Sequence, residues 1–305
     1  GRAITEKLLA QGHQVTLFHR GKTVVPEFEG VPEILGDRNT DIAKADVCEW
    51  DAIVDVCAYA PSQARSAAKL RTKFYLFIST ISVYSLEDPS EKISESSALF
   101  EPQEGEEVTG ATYGPLKVAC ENVLSETFPT SLCTIRPGIV FGPHDPTGRF
   151  PYWVSRFDRY ESVLVPASTE QNFQWVDVYD LADFCVLCVE NGVTGTFNAV
   201  NEPTSIGVVF DEIRAQVGKE HNLVVASLLE LEAAGIAPWT DLPLVLPDDS
   251  RAALFNVSNS LGVAAGLKCS PLSKTTSETL AWVRAGGSPE GKYGMSRERE
   301  EALLK

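Results

Sequence analysis

The 305-residue sequence contains no apolar run of the ~18–20 residues that a membrane-spanning helix needs, so no membrane partner is expected. It lacks a basic-then-apolar signal segment, an internal repeat and a low-complexity tract. Basic residues are scarce: 26 Lys and Arg stand against 42 Asp and Glu, for a net charge of −16. That balance disfavours a phosphate-backbone partner, and no nucleic acid is expected. The four histidines (His13, His19, His144, His221) share no ligand spacing, which predicts no metal. Seven cysteines, odd in number and scattered, exclude a disulfide framework and suit a reducing, cytoplasmic setting. Cys185 and Cys188 form a single CxxC inside an apolar helix-like run, which reads as core.

What is present is a hydrophobic content of 44%, enough for one large α/β domain or two moderate ones. Short apolar runs alternate with helical patterns through the first half. Ile4, Leu8 and Leu9 line a helix that stops at Gly12, and Val15 to Phe18 reads as a strand. Strands are also expected at Ile34-Leu35, Ala52 to Val56, Phe74 to Ile78 and Cys133 to Ile135. Helices are expected at Pro61 to Leu70 and from Tyr113 onward. This alternation predicts a doubly wound parallel Rossmann-type sheet. The division expected is a dinucleotide-binding domain over 1–143, with 174–192 returning to it. A smaller substrate lobe takes 144–173 and 193–305, and the charged tail from Ser288 is expected to be peripheral. Gly1-Arg2-Ala3-Ile4 resembles the end of a glycine-rich strand-to-helix turn, so a strand and most of that loop are expected to precede Gly1. Without them the chain is expected to fold poorly or to bind cofactor weakly.

Tyr113-Gly114-Pro115-Leu116-Lys117 puts a phenol and an ammonium on one helix face. A phenol loses its proton near pH ~10, and a neighbouring cation lowers that value, so such a pair can move a proton on a substrate hydroxyl. Chance supplies this spacing about a third of the time in a chain of this composition. Its context is more specific. The strand before it ends in Ser79-Thr80 and the strand after it in Arg136-Pro137, at the sheet edge where such folds bind ligands.

In this order the hydroxyls, the Tyr-x-x-x-Lys and the Arg-Pro resemble the extended short-chain dehydrogenase/reductases, the NAD-dependent epimerase/dehydratase family, along nearly the whole chain. The resemblance looks closest to an atypical branch carrying segments like Arg136-Pro137-Gly138-Ile139-Val140-Phe141-Gly142-Pro143 and Trp175-Val176-Asp177. It implies Tyr113 as acid/base, Lys117 as the residue that lowers its pKa and binds the nicotinamide ribose, and Thr80 as the substrate-orienting hydroxyl, with Ser79 beside it. For the cofactor it implies Gly1 at the end of the dinucleotide loop, Asp37 at the adenine, Cys57-Ala58-Tyr59 along the turn after the fourth strand, and Pro137 near the nicotinamide. A homodimer is implied only by analogy.

Where an NAD enzyme of this fold carries an acid after its second strand, this chain has His19-Arg20-Gly21-Lys22. Arg20 could pair with a 2′-phosphate, so NADP is expected over NAD. Ile81 and Ser82 replace the Asp-Glu pair of the dehydratases, and Gln171 to Gln174 lack the diphosphate-gripping arginine of nucleotide-sugar epimerases. The expected activity is therefore NAD(P)-dependent interconversion of a hydroxyl and a carbonyl on a small or medium substrate. Epimerisation through a transient ketone is the near alternative, and a non-catalytic cofactor-sensing or RNA-associated module the distant one. Arg149, His144 and Trp153, with Phe150 and Tyr152 nearby, are candidates for the substrate wall.

Overall fold

The computed structural model describes residues 1–85, 92–247 and 254–304. Twelve strands are found among them. They are β1 (Leu17–His19), β2 (Glu33–Leu35), β3 (Ile53–Asp55), β4 (Tyr75–Ile78), β5 (Leu132–Pro137), β6 (Ile139–Phe141), β7 (Ser162–Pro166), β8 (Asn172–Phe173), β9 (Trp175–Asp177), β10 (Gly195–Ala199), β11 (Thr204–Ser205) and β12 (Asn222–Ala226). The helices are α1 (Arg2–Ala10), α2 (Pro61–Ala67), α3 (Tyr113–Thr127), α4 (Arg149–Arg159), α5 (Val178–Asn191), α6 (Ile206–Val217), α7 (Leu228–Ala233), α8 (Ser260–Ala264), α9 (Leu272–Arg284) and α10 (Arg297–Glu301). None of the described helices is long and apolar enough to cross a membrane.

The main sheet runs β3-β4-β5-β10, all parallel, and β1-β2 form a separate parallel pair. Side-chain alternation along β4 shows why helices must cover both faces. Tyr75 and Phe77 point to Ala64 and Ala67 of α2 and to Cys120 and Leu124 of α3. Leu76 points the other way, into a cluster with Ile4 of α1 and with Phe184, Cys185 and Cys188 of α5. The α/β doubly wound architecture is as the sequence predicts.

Helix ends follow local chemistry. The Asp177 carboxylate accepts from the N–H groups of Tyr179 and Asp180 to start α5, and Gly192 (φ 60°) ends it in the left-handed region. Ser227 and Glu230 form a capping box at α7.

Three expectations change. Strand β10 pairs with β5 from Gly195↔Cys133 to Ala199↔Pro137, so 195–199 lies in the main sheet and not in the substrate lobe. Trp153 is no substrate wall. Its indole is fully buried, donates to the Pro243 carbonyl at 2.7 Å and packs on Phe210 with Phe157 and Phe150 in the lobe's core. A helix with aromatic residues on successive turns simply buries that face. Nor is the tail peripheral. Glu300 is fully buried, accepts from the Leu164 N–H at 3.0 Å and faces Arg156 at 3.1 Å and Arg297 at 3.0 Å. The chain before it is tied down by Tyr293 N–H to Thr147 O at 3.0 Å and Gly294 N–H to Thr240 O at 2.7 Å. The expected core position of Cys185 and Cys188 holds; Cys120 and Cys133 are buried too, whereas Cys48, Cys57 and Cys269 are exposed.

Candidate active site

A cleft of about 1880 Å³ opens at the C-terminal ends of β4 and β5, between the sheet and the second lobe. Its walls include Gly1, Tyr59, Ser79, Thr80, Tyr113, Lys117, Pro137, His144 and Arg149. Most of the residues singled out by sequence therefore meet in one cavity.

Two close approaches set Tyr113. A Cβ on Gly114 would lie 2.1 Å from the Ser82 carbonyl, so only glycine lets the start of α3 touch the turn at Ile81–Val83. That turn begins at Thr80, whose hydroxyl accepts from Ser82 N–H at 3.1 Å. Thr80 and Tyr113 line the same stretch of the cleft wall. Burial pushes the phenol up to about 12, the neighbouring Thr80 hydroxyl opposes that rise, and the cation that most favours its ionised form is Arg149.

Lys117 lines the same cleft, held by main-chain acceptors. Its ammonium donates to the Ala58 carbonyl at 2.8 Å and the Ile78 carbonyl at 2.7 Å, and lies over the rings of Phe77 at 4.3 Å and Tyr59 at 5.3 Å. It thus bolts α3 to the turn after β3 and to the end of β4. These partners are main-chain atoms, which leave no signature in a sequence. Burial brings the ammonium down to about 8.

The sign of the consequence follows from linkage. Between about pH 8 and 10 the unfolded chain keeps this proton while the folded chain gives it up, so Lys117 adds stability as pH rises through that window. The buried thiols of Cys120, Cys133 and Cys185 are pushed up and pull the opposite way. The informative quantity is therefore the unfolding free energy of wild type relative to Lys117→Met at each pH. Urea unfolding should show this difference rising from about pH 8 to 10, and a flat difference would contradict the assignment.

Other candidates divide. Ala58 is buried and contributes its carbonyl to Lys117. Tyr59 is half-exposed, its ring 6.3 Å from that of Tyr113. Cys57 is exposed and its sulfur accepts from Arg38 at 3.0 Å. Asp37 lies outside the cleft wall, where its carboxylate closes its own turn by accepting from Asn39 N–H at 2.9 Å. Arg20 is exposed just beyond β1, also outside the cleft wall, and pairs with no acid among the described residues. His144 lines the mouth at φ 62°, edge-on to Trp282 at 5.0 Å. Burial, with Arg2 adding to it, lowers its pKa.

Sequence reasoning missed two buried networks behind the cleft. Arg38 makes a two-pronged pair with Asp55, both contacts 2.8 Å, and Asp55 also accepts from the Tyr75 hydroxyl at 2.8 Å. Glu121 pairs with Arg136 of β5 at 2.6 and 3.0 Å, and Arg136 donates to the Tyr84 hydroxyl, which donates to Asn198 at 2.6 Å. A signal for the second was present: Tyr113, Lys117 and Glu121 recur at four-residue spacing and face the sheet together.

A nicotinamide dinucleotide fits what is there. The Ser79 hydroxyl is buried with no partner at the strand end, and the N-terminus of α1, a natural seat for phosphate, opens into the same cleft.

Residues 63–201 match the family model described as NAD dependent epimerase/dehydratase family. No curated protein matches the sequence significantly. Among solved structures, the fold is similar to the Bordetella bronchiseptica enzyme WbmH in complex with NAD+, with a TM-score of 0.70 at 17% identity, covering 94% of this chain and 96% of that one. It is similar to the UDP-glucose 4-epimerase of Thermotoga maritima with UDP-glucose, with a TM-score of 0.70 at 15% identity, covering 93% and 94%. The human epimerase family protein SDR39U1 (isoform 2) with NADPH gives a TM-score of 0.66 at 17% identity, covering 92% and 95%. The matched segment carries the strand-end hydroxyls, Tyr113, Lys117 and Arg136-Pro137, and over it the chain is similar to the NAD-dependent epimerase/dehydratase family.

Proposed function

We propose that the protein is a nicotinamide-dependent reductase that converts a carbonyl to a hydroxyl on a small or medium substrate, and runs the reverse reaction when oxidised cofactor and alcohol prevail. The observation that carries this reading is the Tyr113 phenol beside Thr80 in the cleft wall, its pKa pushed up to about 12 by burial, so that it is protonated at neutral pH. A protonated phenol is the form a general acid needs. Tyr113 would give its proton to the oxygen that becomes the hydroxyl, with a bound reduced nicotinamide as the group that would supply the hydride. Thr80 orients that oxygen, and Ser79, whose hydroxyl is unsatisfied, is the adjacent donor. Lys117 keeps α3 seated on the strand ends and is the residue that would meet the cofactor ribose.

Epimerisation is the second reading. It needs a ketone to turn over within the site, and the cleft volume leaves room for a dinucleotide and a rotating sugar-sized ring. It removes a proton from the substrate hydroxyl and later returns one, so it asks of Tyr113 both halves of the relay that a reversible reduction uses. The two separate on one experiment. A reductase oxidises added NADPH in proportion to carbonyl consumed, whereas an epimerase interconverts stereoisomers with no net change in cofactor.

Cofactor choice rests on Arg20, exposed and without an acidic partner beside the equally exposed Lys22. Arg20→Ala should weaken NADPH binding about tenfold and leave NADH within about twofold, as loss of a charge-assisted phosphate contact predicts. Fluorescence titration of both reduced cofactors measures it, and equal losses for the two would remove the NADP preference.

A further inference from the structure

The cleft wall carries cations with different commitments. Arg2 is neutralised by Glu6 at 2.8 Å and Glu27 at 2.6 Å, and Lys117 is spent on two carbonyls. Arg149 and Lys292 remain, and among the described residues neither has a carboxylate partner.

Arg149 is held in an unusual way. Its guanidinium carbon lies 4.0 Å from the ring centre of Tyr293 and 4.9 Å from that of Trp239, and its Nε is buried without a hydrogen-bond acceptor. The Lys292 ammonium lies 5.3 Å from the ring centre of Tyr293. The nearby Asp145 carboxylate does not supply the missing acceptor. It takes the Thr147 N–H at 2.8 Å, the Thr147 hydroxyl at 2.7 Å and the Arg149 backbone N–H at 3.0 Å. The guanidinium plane is therefore fixed by rings while its hydrogen-bonding edge has no protein partner among the described residues.

The rings are themselves fixed. Trp239 sits at φ 69°, a left-handed conformation that is unfavourable for an aromatic residue and persists only where the surroundings enforce it. Here Trp239 N–H donates to Leu242 O at 3.1 Å, and Gly294 and Met295 clamp Thr240 and Asp241 at 2.7 and 2.9 Å. A rigid, ring-backed guanidinium with an open edge suits the two parallel hydrogen bonds of an oxyanion.

We propose that Arg149 and Lys292, walled by Trp239 and Tyr293, receive a carboxylate or phosphate group of the substrate, so that the protein acts on anionic carbonyl compounds. This rests on the reading above that the cleft turns over a carbonyl beside Tyr113. It also reconciles an acidic protein with an anionic substrate, because no carboxylate among the described residues neutralises the local cation pair, where the overall charge is −16.

The test is calorimetric titration of the NADP+-saturated protein with inorganic phosphate and, separately, with succinate, at low salt. Saturating NADP+ first covers the cofactor's own phosphate sites. Saturable binding of either probe is expected: phosphate alone points to a phosphorylated substrate, succinate alone to a keto acid, and both to any oxyanion. Arg149→Met should weaken the bound probe at least about tenfold. Lys292→Met, at an exposed position where folding is not at stake, should weaken it about threefold. Failure to bind NADP+ would count against the cofactor reading itself. NADP+ binding with no saturable probe binding, or with probe affinity unchanged in both variants, would overturn the oxyanion site alone.

Discussion

Tyr113→Phe should lower carbonyl reduction about a thousandfold while leaving cofactor affinity within about twofold, the size expected when a positioned general acid is lost. The substitution removes one oxygen, and the ring keeps its place 6.3 Å from the Tyr59 ring. The Thr80 hydroxyl keeps its bond from Ser82 N–H, so the turn beneath the substrate persists. The loss should appear in kcat, because the phenol proton is needed only as the oxygen gains charge. A fall in KM-dependent binding with unchanged kcat would instead assign Tyr113 to substrate holding.

Arg136→Ala should cost about 3–5 kcal/mol of folding stability, the largest structural effect expected in the molecule, because it strands the buried Glu121 carboxylate. Arg136 also supplies the Tyr84 hydroxyl with a hydrogen bond at 2.9 Å, so a second buried group is left short. The double variant Glu121→Leu with Arg136→Met should recover most of the loss, since a buried ion pair contributes little once both charges are gone. Urea midpoints at constant slope measure both. A loss below about 1 kcal/mol in the single variant would mean that water reaches Glu121 and that the network does not brace α3.

How much of this was legible in the sequence varies by kind of interaction. Three of the four strands of the main sheet, β3, β4 and β5, and the Tyr113 helix could be read from apolar periodicity, because each buries a face against a neighbour that repeats the same pattern. The site's membership was legible where a motif fixes position along the chain, as at Ser79-Thr80, Tyr113 and Pro137. Direction of side chains was less so. Lys117 shares a face with Tyr113, yet its amine finds the carbonyls of Ala58 and Ile78, and main-chain acceptors carry no residue identity. Trp153 looked like a wall beside Arg149, but the two diverge along α4: Arg149 at the first turn faces the cleft, and Trp153 one turn on faces the lobe's core. The tail misled through composition. Arg297-Glu298-Arg299-Glu300-Glu301 resembles a solvated charge run, while Glu300 finds Arg156 across 144 positions of sequence and is buried by it. Long-range ion pairs of this kind have no period to detect. That same tail brings Lys292 and Tyr293 into the cleft, which no local pattern announces.

The central claim is that Tyr113 is the proton donor of a nicotinamide-dependent reduction in this cleft. Its most direct test follows the absorbance of NADPH in single turnovers with a panel of anionic ketones and aldehydes, for wild type and Tyr113→Phe side by side. The account predicts cofactor oxidation by wild type with at least one member of the panel and a rate about a thousandfold lower in the variant at equal cofactor occupancy. Equal rates in the two proteins would contradict it.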